Sequence, residues 1–517
     1  MIARKVILAF GINLVKFGFG YVGLFFVARY MGPSALGAIG FGFAYVGIFS
    51  FIADLGFGLA HIKRVSEGRD LGKCIGTYLL LKSGLIVAMA ISVLVSVYVF
   101  RSVLGREFER PENEYIIYVA LLTVILGHLS GIASHTFAGK KETAKQNLPE
   151  LFGKVLEVCL KIVVAIGGFG LIMLAGASAV GTALCLFMAA FLFSGHPIGR
   201  PDKGVLKDYW VFALPVMIIV SSNTVTENLD KIMVQLFWSS KELGYYVGAQ
   251  RISMIFTFLL VSVGMLVFPS ISSYHSKNDI HSISRLTHNS ERYLSLLLLP
   301  VGVLLIFFGS EIAVILLGQA FYHSGNILCF LSWAVIIRTI SNPYSLQIMG
   351  TDKVKWSAIL SVVFMVLNVS LNLLLIPNRI FGIRLFGLGA YGAALATLIA
   401  AFVMNLIYRY LAYKLTATGI NWAVFRHLVA SGIMALVIYG LLSLIEIESI
   451  GILIVVSLGL VGFGVYIVFL FLTRELSRDD LTYLLGLVSI RDMKSYIQEE
   501  LRFNTKIGGV SRDERSS

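Results

Sequence analysis

Val6-Ile-Leu-Ala-Phe-Gly-Ile-Asn-Leu-Val-Lys16-Phe-Gly-Phe-Gly-Tyr-Val-Gly-Leu-Phe-Phe-Val-Ala28 carries a single charge in 23 residues. A helix that spans a bilayer needs about 20 mostly apolar residues, so this stretch reads as a first membrane span. Arg4 and Lys5 ahead of it form a signal-like charged head. The run passes twenty residues without a small-x-small cleavage site, which makes it a retained span rather than a removed leader. Further apolar runs follow almost back to back, at about 36–59, 76–100, 115–138, 149–173, 177–195, 209–238, 245–268, 293–317, 326–349, 357–376, 388–412, 427–445 and 450–472. The expected fold class is an all-α polytopic membrane protein with about 14 transmembrane helices. Composition agrees: 57% of the 517 residues are hydrophobic and only 14% are charged, with mean hydropathy +0.85. A soluble domain of this length needs far more polar surface.

The net charge of +13 would suggest nucleic acid in a soluble protein. In a membrane protein, Lys and Arg collect in cytoplasmic loops, and no nucleic-acid partner is expected. With the N-terminus inside, the inner segments hold 27 Lys and Arg and the outer loops 7. That bias predicts a multi-pass protein with both termini in the cytoplasm, and a plasma-membrane location is expected. The longest outer loop runs only from about Arg101 to Glu114, too short for an external catalytic domain. A polar tail from Thr473 to Ser517 is read as solvated, with an amphipathic helix around Leu481–Leu501 as the other reading. Cys159, Cys185 and Cys329 fall in apolar runs and Cys74 in a cytoplasmic loop, so neither a disulfide framework nor a zinc spacing is present.

The chain repeats weakly at an offset of about 210 residues. Met31-Gly-Pro-Ser-Ala-Leu-Gly37 corresponds to Trp238-Ser-Ser-Lys-Glu-Leu-Gly244. Ala138-Gly139 before basic residues corresponds to Met349-Gly350 before Lys353 and Lys355, and Gly176-Ala177 to Gly389-Ala390. Six spans separate the copies, so they share one orientation and the axis relating them lies along the membrane normal. The expected organisation is one six-helix bundle over 1–200, a second over 201–413, two additional helices over 414–472 and a cytoplasmic tail over 473–517.

Val27-Ala-Arg-Tyr-Met-Gly-Pro-Ser-Ala-Leu-Gly37 and Ala53-Asp-Leu-Gly-Phe-Gly58 resemble the opening of polysaccharide-export (O-antigen-type) flippases of the multidrug/oligosaccharidyl-lipid/polysaccharide exporter superfamily. The likeness continues through Leu214-Pro215, Asp230-Lys231, Glu242-Leu-Gly-Tyr-Tyr-Val-Gly-Ala-Gln250, Phe268-Pro-Ser-Ile-Ser272, Asn368-Val-Ser-Leu-Asn372 with Ile376-Pro377, and Gly387-Leu-Gly-Ala-Tyr-Gly-Ala-Ala394. It covers roughly residues 1–475, and order and spacing carry it rather than any one motif. The resemblance implies translocation of an undecaprenyl- or dolichyl-(pyro)phosphate-linked oligosaccharide from the cytoplasmic to the outer leaflet. It implies membrane lipids and glycan-assembly proteins as partners, and no cofactor beyond a coupling H⁺ or Na⁺.

A charge at bilayer depth costs a few kcal/mol and normally faces a bundle interior or a wet cavity. Lys16, Lys161 and Arg338 lie near the middle of the first, fifth and tenth spans. They are expected to line a cationic cavity, because phosphate oxygens pair with Lys and Arg. Lys161 has a second reading, a local pair with Glu157 four residues earlier. Glu227, Asp230 and Lys231 form an i, i+3, i+4 group in span seven. It reads either as a coupling site for H⁺ or Na⁺ or as an intrahelical ion pair, with Arg251 of span eight placed to meet the remaining acid or to join the cavity. Asp54, beside the Gly56-x-Gly58 bend, is a further coupling candidate, although capping of the inner loop is the favoured role. His128 and His135 share a helix face and are read as packed histidines rather than a proton relay. His275, His281 and His288 fit no metal spacing. Gly18-Phe-Gly-Tyr-Val-Gly23 matches a dinucleotide fingerprint, but within an apolar helix it signifies close packing. Pro215 and Pro300 are expected hinges near helix ends.

An ion-coupled drug or organic-cation antiporter of the same superfamily is the competing class; such exporters typically have twelve spans, and the basic membrane interior argues against it. A lipid-dependent membrane enzyme would need an outer acidic loop, for which Glu107, Glu109, Glu112 and Glu114 are the sole material.

Overall fold

The computed structural model describes residues 2–351, 353–444 and 451–476. The Leu481–Leu501 segment lies outside them. The chain is almost entirely helical. α1 (Ile2–Gly47) is two helices joined at a kink, because Gly32 has φ 74° and Pro33 follows it. Its second limb continues through α2 (Ser50–Asp54) and α3 (Phe57–Ser66), interrupted where Leu55 and Gly56 take positive φ. α4 (Leu71–Tyr98) ends in a π-helical turn, Val99–Val103. α5 (Pro111–Gly139), α6 (Thr143–Gly167) and α7 (Leu171–Phe193) complete the first half.

The second half starts with α8 (Lys203–Phe237), followed by α9 (Ser240–Ser253), a 3₁₀ turn and α10 (Thr257–Ser276). Next come α11 (Ile280–Leu317), α12 (Ser324–Gly350) and α13 (Val354–Leu375). A two-stranded ribbon, β1 (Arg379–Ile380) and β2 (Ile383–Arg384), leads into α14 (Gly389–Thr416). α15 (Trp422–Leu444) and α16 (Ile452–Leu472) close the described chain.

Among the described residues, eleven helices are long and apolar enough to cross a membrane. The fourteen expected segments nevertheless all lie on helix. α1 supplies two of them across its kink, the broken α9–α10 supplies one, and α6 supplies one although a stripe of charge lowers its hydropathy. Helix starts follow capping chemistry. Asp202 Oδ1 accepts from the N–H groups of Gly204 (2.9 Å) and Val205 (3.0 Å). The Val205 amide, helped by that of Gly204, holds this carboxyl below the ordinary Asp range. Asp70, Ser239 and Asp279 cap α4, α9 and α11 in the same way.

Some local expectations are corrected. Cys74 is buried inside α4 rather than in a loop, because α4 starts at Leu71. Pro215 and Pro300 sit within α8 and α11 rather than near their ends, and α11 departs from helical dihedrals at Phe308.

The largest apolar cluster joins both halves. Phe41, Ala44, Met89 and Ile117 pack with Val234, Tyr246, Leu317 and Ile327. The two segments suspected as repeats, at the end of the bundle that the Lys and Arg distribution assigns to the outside, meet face to face there. A Cβ on Gly37 would lie 1.7 Å from Ser240 O, and one on Gly244 would lie 1.8 Å from Pro33 O. Glycine at both positions therefore lets α1 and α9 touch backbone to backbone. Glu109, from the loop before α5, fastens the same seam. Its Oε2 accepts from Gln235 Nε2 (2.5 Å), Ser240 N (2.6 Å) and Ser240 Oγ (2.6 Å).

α15 and α16 pack on α11 through Leu296, Val303, Phe308, Met434, Ile438 and Tyr466. Polar contacts at the opposite end hold them. Arg292 Nε donates to Glu475 Oε1 (2.7 Å), and Arg426 Nη1 to Glu475 Oε2 (2.5 Å). Nearby, Glu291 is completely buried. It pairs with Arg409 and accepts from Tyr344 Oη (2.7 Å) and Asn421 Nδ2 (3.0 Å). Glu291→Ala removes the ion-pair partner of Arg409 and the acceptor of the Tyr344 phenol, and breaking such a pair costs ~3–5 kcal/mol. A clear fall in the unfolding temperature of the detergent-solubilised protein is the expected result.

Candidate functional site

A cavity of about 1080 Å³ lies directly beneath the Gly37–Gly244 seam. Leu36 and Gly40 of α1 and Val247 of α9 form its roof, and α1, α5, α6, α7, α8 and α9 its walls. A volume of this size accommodates a large polar headgroup.

Charge reaches the cavity from four helices. α6 carries Glu150, Lys154, Glu157 and Lys161 at spacings of four, three and four, which places them along one face. α1 contributes Lys16, and the second half contributes Lys231 of α8 and Arg251 of α9. The lining thus holds five cations against two carboxylates.

The two walls differ. On the wall from the first half the cations are matched. Lys16 Nζ pairs with Glu150 at 2.8 Å, and Glu157 lies between Lys154 (3.0 Å) and Lys161 (2.5 Å) while also accepting from Ser178 Oγ (3.2 Å). On the wall from the second half they are not. Lys231 Nζ donates to the backbone carbonyl of Glu227 (2.8 Å), and neither Lys231 nor Arg251 has an ion pair among the described residues. Tyr21 Oη donates to the Arg251 carbonyl at 2.7 Å and ties α1 to α9 across the cavity. Two cations without a carboxylate partner thus face the cavity from one wall, while the other wall sets three lysines against two carboxylates and adds Asn13, Ser178 and Thr182 as hydrogen-bonding groups.

The structure therefore gathers Lys16, Lys161, Lys231 and Arg251 at one cavity and leaves Arg338 out of its lining. Arg338 is exposed on the face of α12 turned toward α13, with its guanidinium 5.4 Å from the centre of the Phe364 ring. The intrahelical reading of the span-seven group is replaced. Glu227 is exposed, and its backbone rather than its carboxylate meets Lys231. Asp230 points the other way, away from Arg251, and is 4% exposed. Its carboxylate accepts from Tyr246 Oη (2.9 Å), Asn372 Nδ2 (2.5 Å) and Thr397 Oγ1 (3.3 Å), which α9, α13 and α14 bring together.

Asp54 does not cap α3, whose N-cap is Gly56 without a side-chain bond. It pairs at 2.7 Å with Lys82 of α4, which is 1% exposed. The pair faces a second cavity of about 300 Å³ together with His128 and His135. His135 Nδ1 lies 2.8 Å from Tyr78 Oη. Tyr78 stacks on His61 at 4.3 Å, and His61 Nδ1 lies 2.8 Å from Tyr209 Oη. Lys82, Lys154 and Glu150 were not singled out from sequence, and Glu109 was named there only as part of an acidic outer loop. Lys82 and the α6 stripe carried a readable signal, charge inside an apolar span; Glu109 carried none. Among the described residues no group of three or more His, Cys, Asp or Glu is placed to hold a metal ion.

Comparison with known proteins places this architecture. A family model described as "Polysaccharide biosynthesis protein" matches residues 26–326, more than half of the chain. The chain belongs to the polysaccharide biosynthesis protein family. A relative in Haloferax volcanii, the "Probable low-salt glycan biosynthesis flippase Agl15", is 25% identical over 463 residues, covering 87% of this chain and 91% of the relative. The "Probable flippase AglR" of the same organism is 25% identical over 219 residues, 42% of this chain and 44% of that one. Among solved structures, the lipid II flippase MurJ in its inward closed conformation superposes with TM-score 0.72 at 16% identity, covering 91% of this chain and 99% of MurJ. An inward-facing multidrug resistance transporter of the MATE family superposes with TM-score 0.65 at 17% identity, covering 78% and 96%. At those identities the superpositions establish a shared fold, and the eleven long apolar helices among the described residues make it that of a multi-pass membrane protein.

Proposed function

We propose that the protein flips a polyprenyl-(pyro)phosphate-linked oligosaccharide from the cytoplasmic to the outer leaflet, by alternating access, for cell-surface polysaccharide biosynthesis. The observation that carries this reading is the divided cavity, with unmatched Lys231 and Arg251 on one wall and a polar wall of lysines already paired to carboxylates opposite. Lys231 and Arg251 take the phosphate oxygens. The opposite wall, with Glu150, Glu157, Asn13, Ser178 and Thr182, hydrogen-bonds sugar hydroxyls, and the lipid tail stays in the bilayer. Separation of the Gly37–Gly244 seam then opens the cavity outward. No covalent bond is made or broken, so the protein acts as a transporter rather than an enzyme. Its termini are cytoplasmic in the plasma membrane, and glycan-assembly proteins supply and receive the substrate. The relative named as a glycan-biosynthesis flippase supports the same reading.

The test is equilibrium binding to the purified protein. A lipid-pyrophosphate oligosaccharide should bind, be displaced by inorganic pyrophosphate and weaken with salt. Tight binding of an organic cation, with none of the lipid-linked sugar, would instead assign the cavity to an ion-coupled multidrug antiporter.

Asp230 is the proposed coupling group, since its buried carboxylate is reached by Tyr246, Asn372 and Thr397 but by no cation within ion-pair distance. Asp230→Asn preserves the shape of the site. Transport by that variant should lose its response to an imposed H⁺ or Na⁺ gradient while gradient-free exchange persists. Undiminished gradient-driven transport would remove Asp230 from the coupling role.

A further inference from the structure

The ribbon between α13 and α14 has a turn that its own sequence disfavours. Arg379 pairs with Arg384 and Ile380 with Ile383, which leaves Phe381-Gly382 as a two-residue loop. Both loop residues have positive φ, 49° and 84°. That geometry selects Asn-Gly or Asp-Gly, and a bulky side chain at the first position is strained. Phe381 is nonetheless there, and its side chain is fully exposed. Directly across the ribbon, Arg379 and Arg384 set two like charges opposite each other, which is also unfavourable. Neither has an ion pair among the described residues. Ile383 and Phe386 add exposed apolar surface beside them.

An exposed aromatic and unmatched cations are both satisfied by one environment, an apolar layer bordered by phosphate, and that gain offsets the strain at Phe381. The ribbon joins the ends of two apolar spans. The apolar span of α13 ends at Leu375 and the next begins at Gly389. The segment is also held firmly: Gly387 N donates to Pro377 O (2.9 Å), Leu388 N to Leu375 O (2.8 Å), and the Trp238 indole to Ile376 O (2.8 Å). A ribbon with no fixed footing would be marginal alone. Here it is planted on the α8–α9 corner, next to the outer seam.

We propose that this ribbon is a membrane anchor, with Phe381 inserted among the lipid chains at the outer interface and Arg379 and Arg384 bound to phospholipid phosphates. It fixes the depth of the second half beside the seam. The proposal stands whether or not the cavity carries a lipid-linked glycan.

The experiment uses the full chain with Phe381→Cys, in a background with Cys74, Cys159, Cys185 and Cys329 replaced, carrying a nitroxide in phosphatidylglycerol or phosphatidylcholine nanodiscs. Collisions with oxygen should exceed those with a water-soluble nickel chelate several-fold, more so in phosphatidylglycerol. Adding Arg379→Gln and Arg384→Gln should reverse the preference. A label that favours the nickel chelate in both lipids would overturn the proposal and leave an aqueous protein partner as the occupant. Burial unaffected by the arginine changes would overturn the phosphate contact. If the cysteine-free background does not fold, the native-cysteine chain gives a second reading. Phosphatidylglycerol should raise its unfolding temperature more than that of Phe381→Asn combined with both arginine changes, and an equal rise would overturn the anchor.

Discussion

Replacing Lys231 and Arg251 together with glutamine lowers affinity for the lipid-linked head by ~100-fold or more, while Lys16→Gln costs less than ~10-fold. The asymmetry follows from the partners already present. A charge-assisted hydrogen bond is worth ~1.5–3 kcal/mol, and Lys231 and Arg251 have no carboxylate to surrender before meeting phosphate. Lys16 is committed to Glu150 at 2.8 Å, so part of its charge is spent within the protein. Lys154 and Lys161 share Glu157 and belong with Lys16 in this respect. Titration calorimetry with a pyrophosphate-linked glycan separates the variants. Equal losses for Lys16→Gln and the double variant would place the phosphate on the opposite wall.

Gly244→Ala holds the outer seam apart. Its new Cβ would fall 1.8 Å from the Pro33 carbonyl oxygen, where backbone rather than a flexible side chain must yield. Overpacking of this kind costs ~1–3 kcal/mol, enough to shift a two-state gate by ~5–150-fold. Gly37→Ala should act alike, since its Cβ would fall 1.7 Å from Ser240 O. In either variant, a cysteine placed at Asn228 on the cavity wall should react at least ~5-fold faster with an impermeant thiol reagent added outside. Unchanged labelling would mean that the seam is not the barrier.

How much of this was legible in the sequence follows from which physical signal each feature carries. Hydropathy located the spans, and the Gly32-Pro33 pair in the first outer turn coincides with the kink in α1. It located the α6 span as well, although Glu150, Lys154, Glu157 and Lys161 on one helix face lower the apolar content of that segment. Sequence gives the depth of an intramembrane charge but not its rotation about the bundle. Lys16 and Arg338 both lie near mid-span, yet packing turns one into the cavity and the other toward Phe364. Asp230 was visible as a buried acid, but its partners Asn372 and Thr397 are 142 and 167 residues away and only the fold assembles them. Lys82 was readable by the rule that singled out Lys16. Its partner Asp54, 28 residues earlier, meets it because the helix breaks at Leu55–Gly56.

The central claim is that the cavity moves a lipid-linked sugar across the bilayer. Proteoliposomes containing a labelled lipid-pyrophosphate oligosaccharide, exposed to an impermeant glycosidase, test it most directly. Protein-dependent loss of the protected half of the label, abolished by Lys231→Gln with Arg251→Gln, is the expected result. Label that stays protected with the folded parent protein, alongside uptake of an organic cation against a proton gradient, would contradict it.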